Sequence, residues 1–353
     1  MRWQLHSLFS LLHFSWRLWA FWILFALCAL TVATAADRTY ADSKSKTNID
    51  TIKVGVLQFG TVRWELDVIE RHHIAAEHNV NIQVTPLASN QATLTALQSG
   101  AVDIIVADWI WAARQYDFGR EFSFYPYSSS AASLMLAADS GIESFADLKG
   151  KKIGVAGGPV NKSWILYQAY ARKHHQMNLQ QDAVINFAAP PILNELVLKG
   201  ELDAVINFWH FSARLEQRGL KQLVAMDQVL ASLGITTPTP VLGWVFKTDW
   251  AEQHADVLNR FIAASYQARQ RLLVNDQEWQ QLTPLTSVNN AQLRDLLRDG
   301  YRAGIPRQWG PEQRSATQQL FNVLRNEAGA DLAGQLTELP GTLFWKNSVL
   351  PAQ

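Results

Sequence analysis

The chain has one cysteine among 353 residues, Cys28. That excludes a disulfide framework and any cysteine-based zinc or iron–sulfur cluster. Net charge is missing too, since 31 Lys and Arg balance 31 Asp and Glu. A phosphate-rich partner such as nucleic acid therefore has no electrostatic basis. Catalytic signatures are lacking as well. There is no Gly-x-Ser-x-Gly, no His-Glu-x-x-His, no Gly-x-Gly-x-x-Gly and no P-loop spacing. The His72-His73 and His174-His175 pairs lie on predicted helices. Neighbours there point about 100° apart, so neither pair presents two ligands on one face. No enzyme activity, no metal and no cofactor is expected.

A long apolar run occurs once, from Leu18 to Val32, after Arg2 and Arg17 and before Ala33-Thr34-Ala35. Residues 1–35 hold no acidic side chain. This is the pattern of a cleavable signal peptide. The run falls short of the roughly 20 residues that span a bilayer. Lipidation at Cys28 is disfavoured, because Leu27 stands where a small residue is needed. Cleavage near Ala35 or Ala36 leaves a cysteine-free chain with 29 basic against 31 acidic residues and ten of its 14 Trp. A thiol-free chain suits an oxidising compartment such as the periplasm. Residues 36–51 are polar and aperiodic, a flexible lead-in.

What remains is long enough for two domains, and the 48% hydrophobic and 18% charged residues of the full chain fit a folded protein. Apolar runs at 52–58, 81–86, 102–107 and 122–127 read as strands. Helical spacing occupies 65–78 and 91–98. The pattern restarts with strands at 133–138, 152–156, 183–187, 202–207, 221–226 and 241–246. Helices are expected at 161–174, 191–198 and 208–218 between them. The remainder is helical: 249–273 from an Asp249/Glu252 capping-box pattern, then 291–302, then 311–326 opened by Pro311. Such βαβ order predicts an α/β fold with mostly parallel sheets flanked by helices.

One internal correspondence stands out. Gly100-x-x-Asp103-x5-Trp109 recurs as Gly200-x-x-Asp203-x5-Trp209. Each copy reads as helix end, turn, strand, then an indole just past the strand. Two equivalent α/β units would produce this. Ligands bind outside the carboxyl ends of such strands, which places Trp109 and Trp209 at two facing edges. The candidate ligand-binding residues follow the same rule. They are Gln58, Phe59, Thr61 and Trp64 after the first strand, and Asp108 with Trp109 after the third. Ser129 and Ser130 follow the fourth. Gly158, Asn161, Lys162 and Ser163 open a helix whose free amides attract polar groups. Asn207, Trp209 and Trp244 complete the set.

Four segments carry a family resemblance: Lys53-Val54-Gly55-Val56, Leu97–Asp108 ("LQSGAVDIIVAD"), Ser144–Gly158 ("SFADLKGKKIGVAGG") and Val197–Phe208 ("VLKGELDAVINF"). Over roughly residues 52–330 the chain resembles the nitrate/sulfonate/taurine/thiamine-precursor family of ABC transporter substrate-binding proteins. The resemblance implies a two-lobed periplasmic-binding-protein fold of type II. Crossing strands are then expected near 131–138 and 238–246. Lobe one comprises 52–132 plus 243–353, and lobe two 133–242. It also implies a monomer in the periplasm that closes on a small molecule and delivers it to an ABC permease. Asp108 and the indoles Trp64, Trp109, Trp209 and Trp244 point to a flat aromatic or cationic solute, such as a thiamine precursor. The amides of 157–163 with Lys162 leave open a sulfonate, taurine or nitrate-type anion. A module that signals to a sensor or partner enzyme, and an enzyme on the same fold, also stay open.

Overall fold

The computed structural model describes residues 49–346, apart from residue 289. The expected signal peptide and most of the lead-in lie outside the described residues. Strand β1 (Thr51–Leu57) feeds helix α1 (Val62–Arg71), β2 (Asn81–Leu87), α2 (Asn90–Ser99) and β3 (Ile104–Asp108). Helix α3 (Trp109–Arg114) follows, then β4 (Phe122–Ser128). The chain continues through β5 (Ser133–Leu136), β6 (Lys152–Ala156), α4 (Lys162–His175), β7 (Val184–Ala188) and α5 (Pro190–Leu198). Next come β8 (Ala204–Asn207), α6 (Trp209–Gln217), β9 (Lys221–Gln222) and β10 (Leu242–Lys247). Helices α7 (Ala255–Val274), α8 (Ala291–Gly304) and α9 (Pro311–Ala328) dominate the remainder.

The strands form two five-stranded sheets, ordered β2-β1-β3-β10-β4 and β7-β6-β8-β5-β9. In each, one strand runs against the other four: β10 between β3 and β4, and β5 between β8 and β9. Both reversed strands enter directly after the chain has passed from one sheet to the other. Residues 129–132 make the first passage, and the segment before Leu242 makes the return.

The internal correspondence is a structural repeat. Gly100 and Gly200 both take left-handed φ, +78° and +72°, where a glycine is unstrained. Asp103 Oδ2 accepts from the Lys53 amide at 2.8 Å, and Asp203 Oδ2 from the Lys152 amide at 2.7 Å. Each aspartate thus pins a helix-to-strand turn against the neighbouring parallel strand of its own sheet, β1 or β6.

Several helices are shorter than their spacing predicts. The expected 65–78 helix stops at Arg71, and His73 turns left-handed (φ +54°) before a four-residue helix, Ile74–Glu77. The expected 249–273 helix breaks at His254. Asp249 lies inside the first of the two pieces, whose N-cap is Lys247, so the capping-box reading of Asp249/Glu252 is corrected. The 221–226 strand is two residues long, and a helix begins at Met226. Among the described residues no helix is long and apolar enough to cross a membrane.

One buried cluster runs between the sheets. It joins Ile105, Trp109 and Phe124 of the first half to Leu134, Ile153, Trp164 and Tyr167 of the second. Leu320, Phe321 and Leu324 of α9 belong to it as well. A second cluster lies on the other face of the first sheet, built from Val54, Trp64, Tyr127, Trp244 and Phe261.

Candidate functional site

The carboxyl ends of β1 and β4 meet α6 and α8 at the seam between the two halves. A small cavity sits there, lined by Thr61, Tyr127, Ser128, Ser130, Trp209 and Arg269, with Tyr301, Gly304 and Ile305 on its α8 side. Its volume is about 10 Å³, room for a single water.

Thr61, Ser130 and Trp209 of the expected set line this cavity. The Trp209 indole, at the start of α6, meets the Trp64 ring edge to face, with centroids 5.9 Å apart. Trp64 itself is only 4% exposed and packs in turn on Trp279 and Tyr301. It backs the site instead of lining it. Ser129 donates its amide to the Gly304 carbonyl at 2.8 Å, tying the first passage to α8.

Other expected residues serve the scaffold. Trp109 and Trp244 are fully buried, which corrects their assignment to the cleft. Trp109 opens α3 on that helix's inner face, packs on Phe321 and donates Nε1 to the Pro240 carbonyl. Trp244 occupies the middle of a strand hydrogen-bonded on both edges. It packs between Tyr127 and Phe261 and donates to Ser265 Oγ. Asn207 spends its side chain on the Pro190 carbonyl, Asn194 and the Phe208 amide. Asn161 caps α4 and also binds the Ala156 carbonyl. Ser163 Oγ accepts from the Ala132 amide. These side chains spend hydrogen bonds within the fold and do not line the cavity. Gln58 and Phe59 are exposed, and Gly158 is half-buried in the loop before α4.

Asp108 and Lys162 meet. Lys162 Nζ lies 2.5 Å from Asp108 Oδ2, while Oδ1 accepts from the Trp111 amide as the cap of α3. The carboxylate is thus neutralised by a cation from the other half.

The groups that sequence reasoning missed form the floor. Glu65 is 0% exposed and Arg269 2% exposed, with Arg269 Nε 3.7 Å from Glu65 Oε2. Burial pushes the Glu65 carboxyl up to about 7, although the Arg269 guanidinium pulls it down. Arg269 Nη1 donates to the Tyr127 carbonyl at 3.2 Å, and the guanidinium lies over the Tyr127 ring. The hydroxyls of Tyr127 and Tyr301 lie beside the Glu65 carboxyl and beside one another. Burial raises both phenols far above their usual range, so they stay neutral donors. His210, next to Trp209, is held neutral by burial and by Arg214, with its pKa lowered to about 3.

Two helix-flanked sheets, each with one reversed strand, crossed twice by the chain and meeting at a polar seam, define the architecture of periplasmic binding proteins of type II. A family model described as NMT1/THI5 like matches residues 76–278, and the chain belongs to that family. Its fold is shared with the periplasmic aliphatic sulphonate binding protein SsuA of Escherichia coli, at TM-score 0.63 and 14% identity over 84% of this chain and 98% of that one. The alkanesulfonate-binding protein SsuA of Xanthomonas axonopodis pv. citri, solved with MOPS, is similar at TM-score 0.61 and 16% identity, covering 78% and 94%. The periplasmic nitrate-binding protein NrtA of Synechocystis matches at TM-score 0.53 and 14% identity, covering 67% and 66%. A comparison with curated proteins gave no match.

Proposed function

We propose that this chain is a periplasmic solute-binding protein, exported by its N-terminal segment, that captures a small anion-bearing organic molecule between its halves and delivers it to an ABC permease. It acts as a monomer and performs no chemistry on the solute. The observation that carries the ligand class is Arg269, a buried guanidinium that lines the cavity together with the hydroxyl-bearing residues Thr61, Ser128, Ser130, Tyr127 and Tyr301. A guanidinium among hydroxyl-bearing side chains suits a carboxylate or sulfonate. Trp209 supplies an apolar wall for the carbon portion.

A flat cationic solute has less support. It relied on four indoles and a free Asp108 carboxylate. Of those indoles Trp209 alone lines the cavity, and Asp108 is engaged by Lys162. The membership in the NMT1/THI5-like family and the sulfonate and nitrate binders of the same fold agree with a solute-binding role.

Ligand sites usually enclose hundreds of Å³, so a cavity of about 10 Å³ requires the halves to part before a solute enters. The test is calorimetry on residues 36–353 with ethanesulfonate, MOPS, nitrate and acetate, set against an aminopyrimidine and choline. The expected result is binding of an oxyanion, raising stability by about 2.7 kcal/mol at about 100 times its dissociation constant. Binding of the aminopyrimidine or choline alone overturns the anion reading. Silence from every compound overturns both.

A further inference from the structure

Glu65 is an odd residue to find beneath an anion site. Its carboxylate is wholly buried on α1, within reach of neutral hydroxyls only, those of Ser265, Tyr127 and Tyr301, apart from one cation. Its nearest cation is Arg269, whose Nε at 3.7 Å is beyond hydrogen-bond length. Glu278, also buried, shows the contrast: it is held by Arg71, His72 and Arg271. Glu65 therefore has no cation at hydrogen-bond length, where Glu278 has two.

The groups facing Glu65 are few. Arg269 and Ser265 come from α7, Tyr127 from β4 and Tyr301 from α8. Trp64 and, beyond it, neutral His210 of α6 complete the surroundings. Arg269 is thus the single positive charge among these facing groups, and it lines the cavity. An anion docking against Arg269 brings a second negative charge beside Glu65, and one guanidinium does not neutralise both.

We propose that the site takes up its anion together with a proton, and that the proton resides on the Glu65 carboxyl. This inference rests on the anion reading of the cleft. The balance is simple: protein with ionised Glu65, one anion and one proton give a complex in which Arg269 faces the anion and Glu65 is a neutral acid. The charge of the site changes from zero to zero, so no net charge is buried. A carboxyl already pushed up to about 7 by burial requires little further persuasion, because the arriving anion competes for Arg269. By linkage, the proton then strengthens the anion as much as the anion strengthens the proton. The device selects monoanions and makes capture favoured in acid.

The experiment is titration calorimetry with ethanesulfonate in two buffers of different ionisation heat, on the wild-type chain 36–353 and on Glu65→Gln. For wild type we expect uptake of about half to one proton per ligand at about pH 8, and a dissociation constant rising up to about tenfold per pH unit above about pH 7. Glu65→Gln, a neutral isostere of the acid, binds with no proton uptake and a flat pH profile. An infrared difference spectrum of the wild type, gaining a protonated-carboxyl band on ligand addition, checks the same event without the variant. Binding that is flat in pH with no proton uptake overturns this proposal and leaves the anion reading intact. Equal uptake in Glu65→Gln also overturns it. Failure of ethanesulfonate, nitrate and acetate to bind at about pH 6 overturns both.

Discussion

Lys162 at the start of α4 reaches across the seam to Asp108 at the end of β3, placing Nζ 2.5 Å from Oδ2. Both side chains are partly open to water, at 24% and 17%. A pair of that exposure is worth about 0.5–1 kcal/mol. Lys162→Met should therefore leave thermal stability nearly unchanged yet speed ligand release about two- to fivefold, as read by stopped-flow. Asp108→Ala loses the α3 cap as well, at about 1 kcal/mol of additional stability. Equal melting temperatures for the two variants would contradict this division of labour.

Trp109 and Trp244 hold the protein together. Trp109→Ala and Trp244→Ala should each cost about 3–5 kcal/mol in denaturant unfolding, since each deletes a fully buried indole. Trp209→Ala, at the cavity edge, should cost much less stability and weaken ligand binding instead. The reverse ranking by calorimetry and urea melts would overturn the placement of these indoles.

Glu65 and His210 should tilt stability in opposite directions with pH. The folded chain keeps a proton on Glu65 up to about pH 7, whereas the unfolded chain releases it near its ordinary 4.5. Stability from this group is fully present below pH 4.5 and falls as pH rises to about 7, by roughly 3 kcal/mol at most. His210 does the opposite. Its folded pKa is about 3 against 6.5, so stability from it is present above 6.5 and is lost as pH falls towards 3. Between 4.5 and 6.5 the two slopes oppose one another. Relative to wild type, Glu65→Gln should thus gain stability as pH rises through that window. His210→Phe should lose it. Parallel urea melts across the window check both signs.

Gly300 sets how closely the halves approach. A Cβ at this position would lie 2.8 Å from the Trp209 ring, and that ring is backed by Trp64. In an open helix Gly→Ala is stabilising by about 0.5–1 kcal/mol. Here Gly300→Ala should push the indole away and weaken ligand binding by about tenfold, within the usual cost of overpacking. Adding Trp209→Phe should recover much of the loss. Unchanged affinity in Gly300→Ala would show that the seam is looser than this contact implies.

The scaffold was legible because its signals are local. Apolar runs of strand length alternating with helical spacing carried the βαβ order, and the repeated Gly-x-x-Asp turns marked two equivalent units, whereas the crossings were expected from the family resemblance alone. The site was only half legible. Position after a strand marks a loop as an edge loop, but it does not say which way its side chains turn. Asn161, Ser163 and Asn207 show this, since each short polar side chain satisfies nearby backbone first. The stronger signal lay elsewhere. Glu65 shares the buried face of α1 with Val62, Leu66 and Ile69. Arg269 shares the buried face of α7 with Phe261, Ser265 and Leu272. Opposite charges on two apolar helix faces, about 200 residues apart, mark a buried polar site. Helix breaks at His73 and His254 left no comparable trace, for neither carries Gly or Pro nearby.

The reversed strand β10 has a consequence for how the chain is made. It is central in the first sheet, between β3 and β4, yet it is encoded more than a hundred residues after them. A nascent chain that has emerged only as far as Val241 holds β3 and β4 with a missing strand between them. Their facing edges, Ile104–Asp108 and Phe122–Ser128, then present unpaired amides and carbonyls. The second sheet draws its strands from one unbroken stretch, Ser133 to Gln222, and so can assemble first. The half that begins the protein therefore cannot complete its sheet until residue 247 is in hand.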